Sequence, residues 1–441
     1  MIKAPELAQG SSASTGTSEI IPPHFSFLAL KGGGSKGLIH LGVMMLLDRL
    51  GLLDEIAMIG GTSAGGIGAL LISSGWSADK IRQELDALDL YDLIYQEYTV
   101  TAPYRLYMGL GLHKGHKIHE WFQQIIKMVT GNENTTFLEW HEIVASKITA
   151  EGKYPMKDIC LEAHNTSTGL NEVFSHVSEH KHVPIADALR ATMAYTGFFT
   201  PWDIDGHLYA DGGLQADCPV RLFECTEGAP NPNMLAVWMD EPDRLHYLLN
   251  KTPLKVQTPK NLSEFLYANI VGMYNLQLKL LAHSPYKDKF MLCDTVGVDT
   301  FDFSNTPENQ QKLIQSGFYG ALRYFLLAYP DFTKQFIPPD LIAHIEALDH
   351  PVSVATFEKT PMMTSVSGVG PSAASTSASV GEIEADEEEP WVVLLPLFEA
   401  MKISTTSSDS TSKMDKDKTD VSKNASEQKN EAPKKSWWYP F

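Results

Sequence analysis

The chain has 441 residues, and its 35 lysine and arginine residues against 54 aspartate and glutamate residues give a formal net charge of −19. Hydrophobic residues make up 43% of the chain and charged residues 20%, which is typical of a folded globular chain with a sizeable core. The acidic balance argues against nucleic acid as the main partner, because phosphate binding needs a basic face, but it does not exclude a membrane surface. The four cysteines fit neither a disulfide framework nor a close-spaced metal motif, so we expect reduced thiols.

The amino-terminal 23 residues are expected to be a disordered leader. They lack the apolar run of a secretory signal, and no apolar run in the chain reaches the roughly 18 residues of a membrane-spanning helix. We therefore predict neither a signal peptide nor a transmembrane helix, and expect a soluble chain that is cytoplasmic or peripheral to a membrane.

Two strand–turn–helix units open the ordered part of the sequence. An apolar run at 24–30 ends in three glycines and leads into helical spacing over 37–50. A second run at 55–59 meets two glycines and leads into a small-residue helix over 63–74. This alternation predicts an α/β fold with a mostly parallel sheet, whose ligands lie at the carboxyl ends of the strands.

The remaining predicted elements complete one catalytic domain over residues 24–350. The further strands are predicted at 158–164, 172–176, 208–210, 234–239 and 290–293. The further helices are predicted at 185–194, 262–282 and 310–327. Beyond the domain, the composition predicts a disordered acidic linker over 351–390, a short apolar segment over 391–400, and a disordered tail over 401–441 with an aromatic end.

A candidate nucleophile lies in the second glycine turn. Gly61-Thr62-Ser63-Ala64-Gly65 is a G-x-S-x-G sequence between a predicted strand and a predicted helix, which is the setting of a nucleophile elbow. Flanking glycines are needed because a Cβ there would collide with neighbouring backbone. A structural turn without chemistry is the alternative for so short a motif.

The first glycine turn offers backbone donors. Gly32, Gly33, Gly34 and Gly37 satisfy G-x-G-x-x-G, but no acidic residue ends the next strand, as a dinucleotide site requires. Lys36 is followed by glycine, not by the Ser or Thr of a P-loop. We therefore predict an oxyanion hole of backbone N–H groups, with Lys36 either contacting a phosphate head group or solvated.

The serine needs a base. His40, His164, His182 and His207 are candidates, but none stands in a distinct motif. Asp211-Gly212-Gly213 follows a short predicted strand, and a partly desolvated carboxylate can accept the proton directly. Taken alone the same three residues would be an ordinary turn.

The three motifs in this order and spacing resemble the patatin-like phospholipase family, whose pattern is G-G-G-x-[RK]-G, then G-x-S-x-G, then D-G-[GA]. The resemblance covers residues from about 25 to about 329. It implies a three-layer patatin-like fold, with a central mostly parallel sheet between helices. It also implies Ser63 as nucleophile, Asp211 as base, oxyanion donors from Gly33 and Gly34, and no catalytic metal or other cofactor.

Two departures from the family pattern are expected to reshape the acyl pocket. Thr192 and Thr196 stand where the family usually has Ser and Pro, and Asp217 stands where it often has Asn. The resemblance implies hydrolysis of fatty-acyl esters of phospholipids or lysophospholipids at a membrane surface. A soluble esterase or acyltransferase acting on small esters remains an alternative, as does a lipid-binding interaction protein that recruits partners through its tail.

Three apolar segments lie outside these motifs. The segment 104–112 is either a membrane-contacting lid or a buried loop. Trp391–Leu394 follows an acidic run and resembles a short motif that binds ubiquitin-like modifiers of autophagy; it could instead pack on the domain, or anchor a membrane together with the aromatic end. Patatin-like chains with long acidic extensions are similar to bacterial effectors, so delivery as an effector outside the Sec pathway is a further possibility.

Overall fold

The structure, a computed structural model, describes residues 21–95, 108–226, 228–254, 258–303 and 306–347. Its strands are β1 (Phe27–Leu30), β2 (Met58–Gly61), β3 (Gly111–His113), β4 (Asp158–Asn165), β5 (Leu170–Phe174), β6 (Gly197–Phe199), β7 (Trp202–Ile204), β8 (His207–Asp211), β9 (Met234–Asp240) and β10 (Phe290–Asp294).

The described helices, in chain order, are α1 (Ile39–Arg49), α2 (Ala64–Ser73), α3 (Ala78–Asp86), α4 (Leu90–Tyr95), α5 (His116–Thr130), α6 (Phe137–Lys147), α7 (Ile185–Thr192), α8 (Gly213–Ala216), α9 (Pro242–Asn250), α10 (Leu262–Ala282), α11 (Pro307–Ala328), α12 (Pro330–Thr333) and α13 (Pro339–Ala347). Short 3₁₀ turns lie at Gly34–Leu38, Leu53–Glu55, Val220–Phe223 and Pro285–Lys289. Within the described residues, none of the helices has both the length and the hydropathy needed to cross a bilayer.

A central eight-stranded sheet organises the fold. Its order is β10-β9-β1-β2-β4-β8-β7, and β5 also pairs with β4. The five strands from β10 to β4 are parallel, whereas β5, β7 and β8 join antiparallel. The predicted α/β class with a mostly parallel sheet is therefore confirmed.

Both faces of the sheet are covered, as a largely parallel sheet requires. Along β1, Leu28 and Leu30 enter one apolar cluster, whereas Phe27 and Ala29 enter the other. The first cluster contains residues of α1, α2 and α11, and the second contains residues of α9 and α10. Helices thus flank the sheet on both sides, which gives the predicted three layers.

The topology brings three chain segments to one region of the sheet. The parallel strands β1 and β2 are neighbours, so the turns that follow them lie side by side. Gly61 at the end of β2 pairs with Leu161 of β4, and Asp211 at the end of β8 pairs with Ala163 two residues further along β4. Ser63, two residues beyond Gly61, therefore reaches the same level along β4 as Asp211.

Several predicted segments lie outside the described residues. They are 1–20 of the leader, 351–390, 391–400 with Trp391–Leu394, and 401–441. The division of the chain at these boundaries remains a prediction. Of the segment 104–112, residues 104–107 also lie outside, whereas Met108 and Leu110 are exposed and Leu112 is half-buried.

Candidate active site

Ser63 occupies a strained turn between β2 and α2. Its φ is 54° and its ψ is −124°, a backbone conformation that costs a non-glycine residue about 1–3 kcal/mol. The flanking glycines have a steric reason. A Cβ on Gly61 would lie 2.2 Å from the carbonyl oxygen of Gly65, and one on Gly65 would lie 2.1 Å from that of Leu30. The turn therefore closes only with glycine at both positions.

The side chain of Thr192 anchors this turn through hydrogen bonds. The backbone N–H of Ser63 donates to Thr192 Oγ1 at 3.1 Å, and the same hydroxyl donates to the carbonyl oxygen of Glu162 on β4. Thr192 is fully buried, and its methyl group is the nearest contact that a Cβ on Gly66 would meet, at 3.1 Å. The departure from Ser therefore lies under the elbow and retains the hydroxyl that anchors it. The other threonine, Thr196, stands before Gly197, whose φ is 82°.

We expect Thr192→Val to weaken both the elbow and the fold. The valine keeps the side-chain shape but leaves the Ser63 N–H and the Glu162 carbonyl without partners, which costs about 1–3 kcal/mol for each buried group. Denaturant unfolding should register this loss, and kcat/KM for an ester should fall by about 10–100-fold. Thr192→Ser, which restores the hydroxyl, should recover most of both. Equal damage by the serine variant would show that the methyl packing, not the hydroxyl, carries the role.

Asp211 lies beside the serine in a buried position. Its Oδ1 accepts from the N–H of Gly213 at 2.7 Å, and the Ser63 hydroxyl is near enough to influence its carboxyl group. Burial raises the pKa of Asp211 to about 7, the negative charge of Asp217 adds to the rise, and the Ser63 hydroxyl and the Gly213 N–H oppose it. Gly212 has no room for a side chain, because a Cβ would lie 2.2 Å from the Glu162 carbonyl oxygen. The site therefore contains a carboxyl group that titrates near neutrality.

The glycines of the first turn differ in their contacts. The N–H of Gly32 donates to the carbonyl oxygen of Asp217 at 2.8 Å, so it fastens the turn to the segment after Asp211. The N–H groups of Gly33 and Gly34 have no hydrogen-bond partner in the described part of the chain. Gly37 lies inside the 3₁₀ turn and packs against Ala64. The free donors are thus those of Gly33 and Gly34.

Lys36 faces the cavity beside this turn, but its ammonium group already has a partner. Its Nζ donates to Thr300 Oγ1 at 2.9 Å, and the N–H of Ser35 donates to the carbonyl oxygen of Thr300 at 3.0 Å. Burial lowers the pKa of Lys36, and the charge of Lys31 lowers it further. These contacts hold the 3₁₀ turn against the segment around Thr300.

A buried ion pair supports the glycine turn and was not predicted as a pair. Lys31 Nζ lies 2.7 Å from Asp217 Oδ2, and both side chains are about nine-tenths buried. Although burial by itself lowers the pKa of Lys31, the carboxylates of Asp217 and Asp240 outweigh it and the net shift is upward. The Asp217 that departs from the family's usual Asn is therefore balanced by the lysine that precedes Gly32.

Breaking this pair from one side should be costly. We expect Lys31→Met to lower the free energy of unfolding by about 3–5 kcal/mol, because it leaves the Asp217 carboxylate buried without its counter-ion. The double variant Lys31→Met with Asp217→Asn should recover most of that loss. Urea unfolding of the wild type, both single variants and the double variant measures the coupling, and additive losses would contradict it.

The four histidine candidates are not arranged as the base. Nε2 of His40 contacts the carbonyl oxygen of Lys31 at 3.0 Å, and burial lowers the pKa of His40 to about 4. His164 lies on β4 opposite Ala210, and His182 and His207 are exposed. Among the described residues, none of the four is hydrogen-bonded to Ser63.

One large cavity contains Ser63 and Asp211 in its wall. Its volume is about 1130 Å³, at the upper end of small-molecule sites, which span about 300–1,000 Å³. Its lining includes apolar and aromatic side chains, among them Leu71, Ile94, Trp121, Met193, Phe198 and Phe199. It also includes charged side chains, among them Asp240, Glu241, Arg244 and Lys260. The cavity wall thus offers both apolar and charged surface to a ligand.

A possible metal-binding group lies away from this cavity. In the described residues, His141, Asp158 and His176 are the one set of three whose ligand atoms all lie within 4.8 Å of one another. Asp158 begins β4 and pairs with Met58 at the start of β2, whereas Ser63 follows the end of β2. The group therefore lies at the amino ends of the parallel strands, whereas Ser63 follows their carboxyl ends, and it does not contact the serine.

Comparisons with known proteins agree with the motifs. Residues 28–224 match the sequence profile of the family described as patatin-like phospholipase. Protein R571 of Acanthamoeba polyphaga mimivirus is 28% identical over 198 residues, which are 45% of this chain and 61% of that protein. Patatin-like phospholipase domain-containing protein 6 of Homo sapiens is 24% identical over 199 residues, which are 44% of this chain and 12% of that protein. The chain therefore spans less than two thirds of the length of either relative.

Among solved structures, VipD from Legionella pneumophila is similar with a TM-score of 0.45 and 16% identity, over 69% of this chain and 67% of that chain.

The fold and the site together define an α/β protein that presents a serine at a strand–turn–helix elbow beside a buried carboxyl group. Residues 28–224, which hold both side chains, belong to the patatin-like phospholipase family. The family resemblance predicted from the three motifs is confirmed over this part of the chain.

Proposed function

We propose that the chain is a lipid acyl hydrolase of the phospholipase A type, which cleaves fatty-acyl esters of phospholipids or lysophospholipids. The observation that carries the proposal is the placement of the strained Ser63 next to the buried Asp211, in the wall of a large and partly apolar cavity. A serine at an elbow paired with a base is the arrangement of covalent acyl transfer. The family of residues 28–224 supports lipid esters as the substrate class.

The first half of the proposed reaction acylates the serine. Asp211 accepts the proton of the Ser63 hydroxyl while the oxygen attacks the ester carbonyl carbon, which gives a tetrahedral oxyanion. The unpartnered N–H groups of Gly33 and Gly34 donate to that oxyanion, and such donors typically contribute about 10²–10³-fold each to the rate. Collapse of the intermediate breaks the ester C–O bond, and the leaving alkoxide takes the proton back from Asp211.

The second half releases the fatty acid. With Asp211 ionised again, a water molecule loses its proton to this carboxylate as its oxygen attacks the acyl-serine carbonyl. The second oxyanion uses the same glycine donors, and its collapse returns the proton to Ser63. The pKa of about 7 suits both halves, because a base is most effective when its pKa lies near the working pH.

The shape of the cavity favours a lipid over a small ester. Apolar and aromatic side chains such as Ile94, Trp121 and Phe198 would contact an acyl chain, and the charged side chains of the lining would offer contacts to a head group. A small ester would leave most of this apolar wall in contact with water. An esterase or acyltransferase for small esters is the second candidate and shares the chemistry at Ser63.

The test is the release of fatty acid from vesicles of phosphatidylcholine with lysophosphatidylcholine, in the presence of a calcium chelator. We expect release by the wild type and none by Ser63→Ala. Hydrolysis of a short monomeric ester without any release from vesicles would favour the small-ester alternative. Hydrolysis of neither substrate, under conditions where the chain is folded, would contradict the proposal.

A further inference from the structure

Helix α10 exposes an unusually apolar stripe. Phe265, Leu266, Met273, Leu276 and Leu280 are each between 40% and 57% exposed. At 100° per residue these five positions fall within about a 100° arc of the helix surface, with Asn269 as the polar residue between them. Contiguous exposed apolar surface of this kind marks an interaction site, because folding alone gives no reason to keep it.

The same helix forms part of the wall of the catalytic cavity. On the side away from the stripe, Val271 and Tyr274 line the cavity, together with Asn275. A Cβ on Gly213 would lie 3.1 Å from the Tyr274 hydroxyl, so this side of the helix is close to Asp211. The helix therefore separates the site of chemistry from solvent by one helix diameter, about 10–12 Å.

The amino-terminal turn of α10 connects the two sides. Residues 265–268 make one full turn and all four are exposed, so this end of the helix projects from the body. Two of them, Tyr267 and Ala268, also line the cavity, so the cavity opens beside this turn. Apolar surface thus runs from the outer stripe around the projecting turn and into the opening.

The charge of this surface differs from that of the whole chain. Glu264 and Lys279 are the only charged residues among the 21 of α10, whereas the chain carries a net charge of −19. Glu264 is engaged at the start of the helix, where its carboxylate accepts from the Lys260 N–H and from Asn261 Nδ2. The stripe therefore presents no acidic group to an approaching surface.

From this placement we propose that the α10 stripe docks the protein on the surface of a zwitterionic lipid bilayer. The inference rests on the proposed function and assigns the orientation in which that function operates. Docking inserts the five apolar side chains at the level of the acyl chains, as in interfacial helices. It brings the cavity opening at Tyr267 and Ala268 to the membrane, so a lipid reaches Ser63 without crossing water.

The binding test uses the full chain with Ser63→Ala, so that the vesicles are not hydrolysed. We expect this protein to sediment with phosphatidylcholine vesicles, with little dependence on salt because the docking is apolar. Leu276→Ser with Leu280→Ser should lower the partition coefficient about tenfold or more. Each substitution removes the free energy gained when a half-exposed leucine side chain moves from water into the bilayer. The matched control is Leu170→Ser with Val177→Ser, two similarly exposed apolar residues elsewhere, and it should bind like the parent.

Hydrolysis of a short monomeric ester separates the two proposals. In the background with Ser63 intact, both double variants should hydrolyse it like the wild type, while release from vesicles falls only for the α10 variant. If the wild type and both double variants fail to hydrolyse the ester while the Ser63→Ala protein still binds vesicles, the proposed function is contradicted and the docking proposal is not. Unchanged vesicle binding by the α10 variant would overturn the docking proposal.

A second measurement guards against other occupants of the stripe. A tryptophan placed by Leu276→Trp should be quenched by brominated phosphatidylcholine, relative to the protein without it, which places the residue in the bilayer. If sedimentation equilibrium instead reveals a dimer that the α10 variant dissociates, and the added tryptophan is not quenched, the stripe joins two copies of the chain and the proposal fails.

Discussion

Replacing Ser63 by alanine should lower kcat/KM for a monomeric ester by at least about 10⁴-fold, because the attacking oxygen is lost while the rest of the site stays in place. The measurement is spectrophotometric hydrolysis of a p-nitrophenyl ester by the two purified proteins. Thermal unfolding is the necessary control, since the fold of the variant must be intact. Hydrolysis within a factor of ten of the wild type would remove Ser63 from the mechanism.

The same position carries a matched prediction on stability. Ser63 has a φ of 54°, which glycine adopts with less strain. We therefore expect Ser63→Gly to be inactive and more stable than Ser63→Ala by about 1 kcal/mol or more in denaturant unfolding. This difference would indicate that the elbow stores strain for the sake of the nucleophile. A glycine variant less stable than the alanine variant would contradict it.

The second large effect concerns Asp211 and pH. Burial raises the pKa of this carboxyl to about 7, so below that pH it is protonated and cannot accept the proton of Ser63. We expect kcat/KM for a monomeric ester to rise about tenfold per pH unit below about pH 7 and to level off above it. Asp211→Asn should lose this dependence and retain only about 10⁻² to 10⁻⁴ of the activity.

The contribution of Asp211 to the free energy of unfolding should fall as the pH rises, whereas its contribution to activity should increase. Because the folded-state pKa lies above the unfolded value, the folded state binds the proton more tightly, so this stabilising contribution is present at low pH and is lost as the pH rises from about 4 to about 7. At pH 8 we therefore expect Asp211→Asn to be more stable than the wild type, by about 2–4 kcal/mol. Urea unfolding at pH 5 and pH 8 measures the change, and the gain should be smaller at pH 5.

The glycine turns were predictable from sequence because their constraints are local. A Cβ on Gly61 would meet the backbone of Gly65 within the same turn, so this requirement appears as a short motif, whereas a Cβ on Gly65 would meet the carbonyl oxygen of Leu30 on the neighbouring strand. The long helix predicted at 262–282 also agrees with α10, because its apolar residues extend over many turns. In contrast, β3, β6 and β7 have three residues each, too few to establish a period, and no prediction was made for them.

The supports of the site were not predictable in the same way. Thr192 anchors Ser63 across 129 residues of sequence, and nothing in its own neighbourhood indicates the contact. Lys31 and Asp217 each stand beside a recognised motif, but the ion pair between them depends on the sheet order. The departures from the family pattern at Thr192 and Asp217 are therefore explained by their contacts with Ser63 and Lys31, whereas the structure gives no reason for Thr196.

The exposed stripe of α10 could not be predicted from the pattern of apolar residues in the sequence. An apolar position in a helix is ordinarily assigned to the core, and the sequence alone does not distinguish Leu276, which is 55% exposed, from Leu278, which is fully buried. Only the packing of the helix on the body separates them. The stripe and the cavity opening consequently come from the structure, whereas the roles proposed for Ser63 and Asp211 were already predicted from the motifs.

The central claim is that Ser63 is the nucleophile of an acyl-ester hydrolase. The most direct measurement is mass spectrometry of the protein after reaction with an alkyl p-nitrophenyl phosphonate, which mimics the ester and leaves a stable adduct on the attacking oxygen. The account predicts one adduct per chain, located on Ser63, absent from Ser63→Ala, and formed more slowly below pH 7. An adduct on another residue, or ester hydrolysis by a protein that forms no adduct, would contradict it.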